Sequence, residues 1–132
     1  MPARFSLELS GFDNYLEQLQ QMGADADAAV ARALEAGAAV AVRGMRARVA
    51  IDTGNLQSNI KAGQVALDGN LSTIEVGLVD ADGATVRYAM VQEYGSSSVK
   101  QHPFIRPTMA EDKAKIRSAM RAELKGLIGG GA

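Results

Sequence analysis

The segment ADADAAVARALEAGAAVAVRGMRARVA, residues 24 to 50, constrains the fold more than any other part of the chain. Ala26, Val30, Leu34, Gly37, Ala41, Met45 and Val49 recur at spacings of three and four. That period lays one apolar stripe along a helix of roughly 40 Å, at 1.5 Å of rise per residue. Asp25 and Asp27 stand at the positive end of its dipole and Arg43, Arg46 and Arg48 at the negative end, so the charges agree with the period. The stripe is made of small residues. A flat face of that kind suits the close approach of a sheet or of a second helix, within the chain or from a neighbouring subunit.

The flanking segments supply such partners. Residues 4 to 9 alternate Phe5, Leu7 and Leu9 with Ser6 and Glu8, the period of a half-buried strand. After Gly11, Asp13 is placed to N-cap a helix reaching about Met22, with Tyr15, Leu16, Leu19 and Met22 on one face and Gly23 at its C-cap. Thr53 is placed to cap a short helical segment ending near Ile60. QVAL and LSTIEVGL, joined by Asp68-Gly69-Asn70, predict a β-hairpin. Asp80-Ala81-Asp82-Gly83 turns the chain again, into VRYAMVQEYG. This acidic turn is not a calcium loop: with Gly83 in the sixth position, the first and twelfth ligands would be Leu78 and Ala89.

From Pro107 to Ile128 the pattern is that of a final helix. Thr108 and Glu111 make a capping-box spacing ahead of a stripe of Ala110 or Ala114, Ile116 or Arg117, Met120, Leu124 and Leu127. Lys113, Lys115, Arg117, Arg121 and Lys125 make the other side basic, and residues 129 to 132 read as a disordered tail. The expected fold class is therefore α+β. A small antiparallel β-sheet, a hairpin plus edge strands, packs against the long α-helix, with N-terminal and C-terminal helices, in a single domain over residues 1 to 132.

Composition removes whole classes of function. A chain of 132 residues is one domain's worth of core. Its 14 basic and 15 acidic residues leave a net charge of −1, without the global positive field of a tight, sequence-independent DNA binder. With no cysteine there is no disulfide framework, no thiolate nucleophile and no thiolate zinc site. Neither a secretory h-region nor an apolar run long enough for a bilayer is evident, so a chain off the membrane is expected. The one histidine, His102, precedes a proline and has no second imidazole to share a metal with. No phosphate-cradling glycine motif is present. Catalytic residues, metal ligands and cofactors are all expected to be none, and the protein is expected not to be an enzyme.

The scarce residue types gather in VQEYGSSSVKQHPFIRPTM, residues 91 to 109, which holds two of the three prolines, one of the three phenylalanines and the only histidine. YAMVQEYG, a polar loop and then HPFIRPTM resemble the signature of the gene-ten-like tail-component family of long-tailed bacteriophages. The TGNLQSNI block resembles that family's TG-x-L segment. The matching positions are Thr53, Gly54, Leu56 and Ile60 in the first block, and Tyr88, Ala89, Glu93, Gly95, Pro103, Phe104, Arg106 and Pro107 in the second. The order of elements is similar over roughly residues 12 to 128. Departures occur at Gln57, Ser58 and Asn59, where relatives tend to carry basic residues and a serine, and at Ala50-Ile51-Asp52, where a proline is common.

The resemblance implies a structural virion protein. Several copies would form a homo-oligomeric ring in the neck or at the head-proximal end of the tail, joining head to tail around the DNA channel. Its implied partners are itself, head-closure or connector proteins, and tail terminator or tail tube proteins, with double-stranded DNA passing transiently and no membrane. Its implied location is the virion, with the host cytoplasm during assembly. Two alternatives remain at this point: a tail terminator ring protein, and a small DNA-binding accessory protein using the basic C-terminal helix. Within the motif, Phe104 is the expected anchor, Glu93 and Arg106 the expected pair within or between subunits, Tyr88 and Tyr94 packing residues, and SSSVKQ a loop that orders on assembly.

Overall fold

The computed structural model describes residues 3–50, 54–68 and 71–130. In chain order the elements are β1 (Arg4–Glu8), α1 (Asp13–Gln21), α2 (Ala26–Arg48), α3 (Gly54–Ser58), β2 (Lys61–Ala66), β3 (Thr73–Gly77), α4 (Gly83–Tyr94), α5 (Ile105–Glu111) and α6 (Lys113–Gly130). This is the expected α+β class, with the long helix at its centre.

The flat stripe of α2 is consumed inside the chain. Ala33, Leu34, Ala38, Ala41 and Met45 are fully buried, and both the sheet and α6 pack against the helix. Gly37 sits where a β-carbon would come within 2.6 Å of Met120 Cε, so the absence of a side chain sets how closely α6 lies on α2. Ile116, Met120 and Leu124 of the predicted C-terminal stripe are the residues that α6 buries. The helix begins at Asp25, whose carboxylate accepts from Ala28 N at 3.2 Å as an N-cap.

The sheet has the order β1-β3-β2, both pairings antiparallel. The hairpin is present but begins at Lys61, three residues before the QVAL run, with a register irregularity between Ala62 and Val65. Gly69 and Asn70 of the expected turn lie outside the described residues, as does the Thr53 cap. β1 lies on the far side of β3, with Leu7 opposite Ile74 and Phe5 opposite Val76. Ile74 and Val76 are buried against α2, while Arg4 and Glu75 pair at 3.2 Å on the solvent face.

Several expectations are corrected. Asp13 is the first residue of α1, not its N-cap; Phe12 holds the cap position with no side-chain bond and is buried in the core. At the other end of α1, Gly23 adopts a φ of +78°, and the bonds Gly23 N to Gln20 O and Ala24 N to Leu19 O close the helix as a Schellman motif. VRYAMVQEYG, left without an assignment by its pattern, is most of α4, capped by Asp82 accepting from Thr85 N at 2.7 Å. The C-terminal helix is two helices. α5 starts at Ile105, so Thr108 lies inside it and makes no capping box, and the chain breaks at Asp112 before α6. α6 then continues through Gly130, two residues into the expected tail.

Candidate functional site

The motif-bearing region is built around the first turn of α5. A helix leaves its first four N–H positions without partners inside the helix. Here those positions are Phe104, Ile105, Arg106 and Pro107. Glu93, reaching across from the last turn of α4, takes three of them: Oε1 accepts from Phe104 N at 2.8 Å and Ile105 N at 2.7 Å, and Oε2 accepts from Arg106 N at 2.9 Å. The fourth position is a proline and has no N–H. Every orphan donor of that turn is thus either served by one carboxylate or absent, which gives the E…PFIRP spacing a physical reason.

Arg106 returns the favour at the end of α4. Its Nε donates to Glu93 Oε2 at 2.8 Å, one Nη donates to the Glu93 carbonyl and to Gln101 Oε1, and the guanidinium lies 4.6 Å from the Tyr94 ring centroid. An acid therefore sits at the positive end of α5 and a base at the negative end of α4. Glu93 is 0% exposed, yet the geometry keeps it charged. Burial pushes its carboxyl upward, but the N–H groups of Ile105 and Arg106, the Arg106 guanidinium and the N–H of Phe104 together hold it below the usual carboxylate range.

The loop between α4 and α5 closes by backbone geometry. Gly95 has φ +78°, and a β-carbon there would crowd Gln101 N at 3.0 Å and Val99 O at 3.1 Å. Ser96 N donates to Val99 O at 2.8 Å, and Ser96 Oγ accepts from Ser98 N and Val99 N. Within the single chain, these bonds draw the SSSVKQ segment into a turn. His102 is exposed and contributes its backbone, donating from N to Gln92 O.

A second cluster fixes the other end of α5. Arg48, in the last turn of α2, holds Asp112 with two bonds, Nη1 to Oδ2 at 2.7 Å and Nη2 to Oδ1 at 3.1 Å. Its Nη1 also donates to Thr108 Oγ1 at 3.1 Å, while Thr108 Oγ1 donates to Phe104 O at 2.8 Å. Gly44 leaves room for this, since a β-carbon there would collide with Asp112 Oδ2. The bond from Arg48 holds the Asp112 carboxyl below its ordinary range despite burial. Arg48 and Asp112 carried no motif signal, because 64 positions separate them.

The first block is tied to the same end of α2. Arg46 donates to Ile60 O from Nε at 3.2 Å and Nη2 at 2.7 Å, and Gln57 Nε2 donates to Arg46 O at 2.9 Å. Leu56 and Ile60 are buried, Gly54 is exposed, and α3 packs against α4, so the two blocks adjoin. In the second block Ala89 and Phe104 are buried in the core, and Pro103 and Pro107 are half-buried. The Glu93–Arg106 pair lies within one chain. Tyr94 packs under Arg106 as expected, but Tyr88 is 44% exposed and is not a packing residue of the isolated chain.

Compared with known families, the sequence matches the one described as "Bacteriophage HK97-gp10, putative tail-component" over residues 12–95. The chain belongs to this family. As an HK97-gp10-like protein it is a member of a structural class of phage tail components, found in the virion. The match takes in α1 to α4 and reaches Tyr88, Ala89, Glu93 and Gly95. It stops short of Pro103, Phe104, Arg106 and Pro107, the residues that Glu93 organises. No curated protein and no solved structure gives a significant match. Among the described residues no helix is long and apolar enough to cross a membrane, and no group of three or more histidine, cysteine or acidic residues is placed to hold a metal.

Proposed function

We propose that this HK97-gp10-like protein forms a homo-oligomeric ring in the neck or at the head-proximal end of the tail, joining head to tail around the channel through which DNA passes. The observation that carries the reading is membership of the tail-component family over residues 12–95. A near-neutral net charge of −1 fits a channel in which DNA must slide, because each phosphate neutralised by a basic lining would add grip. The clamped α4–α5 corner supplies a rigid end on which the neighbouring head-closure, connector, tail terminator or tail tube proteins could bear. Assembly in the host cytoplasm precedes incorporation into the virion.

Negative-stain microscopy and mass measurement test this on the purified protein and on particles made without it. Particles lacking it are expected to accumulate as unjoined heads and tails; complete infectious virions formed without it would overturn the reading. The tail terminator role belongs to the same class and is separated from this one by the position of the protein in labelled particles. The DNA-accessory role draws less support. The net charge of −1 supplies no positive field that would draw a duplex onto the basic α6 face.

A further inference from the structure

The two outer edges of the sheet differ in a way that makes them complementary. Leu78 N bonds Ala3 O and Leu9 N bonds Ser72 O, so in the antiparallel ladder the odd-numbered residues of β1 face β3. The N–H and C=O groups of Ser6 and Glu8 therefore point outward, along an edge that no other strand among the described residues covers. Beside that edge runs a groove of about 420 Å³, floored by Phe5, Leu7, Met109, Ile116 and Met120. Lys113 and Arg117 stand on its helical wall. Arg117 already takes the next outward carbonyl, Ser10 O, which shows that α6 flanks this edge within hydrogen-bonding reach.

On the opposite edge, the hairpin carries Leu67 and Leu71, 48% and 46% exposed, with the exposed acid Asp68 beside Leu67. Large exposed apolar side chains flanking a turn are the reverse of what an edge hairpin needs in order to stay unpaired. The registers set these features at one level. Glu8 and Ala66 both lie opposite Thr73, so a copy displaced sideways by one sheet width brings Leu67 and Asp68 level with the Glu8–Ser10 end of the groove. Leucine then meets the apolar floor, and the acid meets a rim on which the two cations Lys113 and Arg117 outnumber the one acid, Glu8.

We infer that the β1–α6 groove is the docking site for the β2–β3 hairpin of a second copy of this chain. The outer edge of β2 lies along β1, Leu67 and Leu71 enter the groove, and Asp68 faces Lys113 and Arg117. Groove and hairpin lie on opposite edges, so the contact is head-to-tail and repeats from copy to copy, as a cyclic ring requires. This deepens the ring reading above and rests on it.

The chain has no cysteine, so introduced thiols report without background. The full chain carrying both Leu67→Cys and Met109→Cys, treated with a short bis-maleimide, is expected to give a ladder of dimers, trimers and larger species. Each single variant should remain uncrosslinked, and the two mixed should stop at dimers. Asp68→Lys is expected to weaken self-association about two- to fivefold, as for an exposed ion pair, with Lys113→Glu restoring part of the loss. A single variant that links to itself, a double variant without a ladder, or Met109→Cys linking to a different virion protein in particles would each overturn the interface. If the parent chain forms rings by mass while the ladder is absent, this contact is wrong and the ring reading stands. If the parent stays a monomer both in solution and in particles, the ring reading falls as well.

Discussion

The two ends of α5 are held by two arginine–carboxylate pairs that work by different physics. At the start of the helix, Glu93 is fully buried and bonds mainly to backbone, while its partner Arg106 remains 48% exposed at the side chain. At the end of the helix, Asp112 bonds to the Arg48 side chain, itself 27% exposed, which also reaches Thr108 and the Gly44 carbonyl. The first acid is the only cap for three N–H groups. The second belongs to a network whose base can turn to water. Loss of the first should therefore cost much more than loss of the second, although the ion pairs have nearly equal lengths, 2.8 and 2.7 Å.

The largest effect is expected from Glu93→Ala, which strands three first-turn donors and the guanidinium at once. Breaking a buried charged pair from one side costs about 3–5 kcal/mol, a large share of the 5–15 kcal/mol typical of a domain. Equilibrium denaturant unfolding measures it. Arg106→Ala leaves Glu93 its three backbone donors and should cost clearly less; equal losses would mean that the ion pair, and not the capping, is what holds the corner. Asp112→Ala comes next at about 1.5–3 kcal/mol, the range for a hydrogen bond to a charged group, because Arg48 is freed toward solvent. A loss equal to that of Glu93→Ala would erase the proposed contrast.

Acid tests the two pairs together, by a smaller effect. Both carboxyls have folded-state pKa values lowered relative to the unfolded chain. A depressed acid adds stability that is complete above the ordinary carboxylate values of about 4 and is lost as pH falls through the lower folded value. Stability should thus decline below about pH 4, and both Glu93→Gln and Asp112→Asn should flatten that decline. Unfolding midpoints measured from pH 6 downward check this; an unchanged slope in both variants would show that neither carboxyl is the acid sensor.

The same contrast explains how much could be read from sequence. The period of α2, the hairpin and the stripe of α6 were legible because each is a local pattern that the core then uses. The corner was half legible: Glu93, Phe104 and Arg106 fall within one stretch, so their types and spacing drew attention to one place. The start of α5 differs from the sequence reading because Thr108 and Glu111 look like a capping box, whereas the cap is supplied by Glu93 from another helix and sets the start at Ile105, two residues before Pro107. The break at Asp112 depends on Arg48, 64 positions away, and leaves no local trace. α4 escaped assignment because the charged Glu93 falls on the same face as Val86, Ala89 and Met90 and interrupts their apolar stripe.

The smallest effect tests the donor accounting itself. An ionised carboxylate offers about four acceptor sites, and Glu93 already receives four donors: the N–H groups of Phe104, Ile105 and Arg106, and Arg106 Nε. Pro107 removes the one first-turn donor that this carboxylate has no site left to serve. Pro107→Ala would add it back, in a half-buried position. Pro103→Ala is the control, because both changes loosen the unfolded chain by a similar amount, about 0.4–1 kcal/mol, while only Pro107 lies in the first turn of α5. Pro107→Ala should cost more than Pro103→Ala by up to about 1 kcal/mol, the lower part of the range for an unsatisfied donor, since water reaches a half-buried site in part. Chemical denaturation of the two variants side by side resolves the difference. Equal costs would reduce Pro107 to a stiffener of the chain, and the spacing of the motif would then reflect only the reach of Glu93.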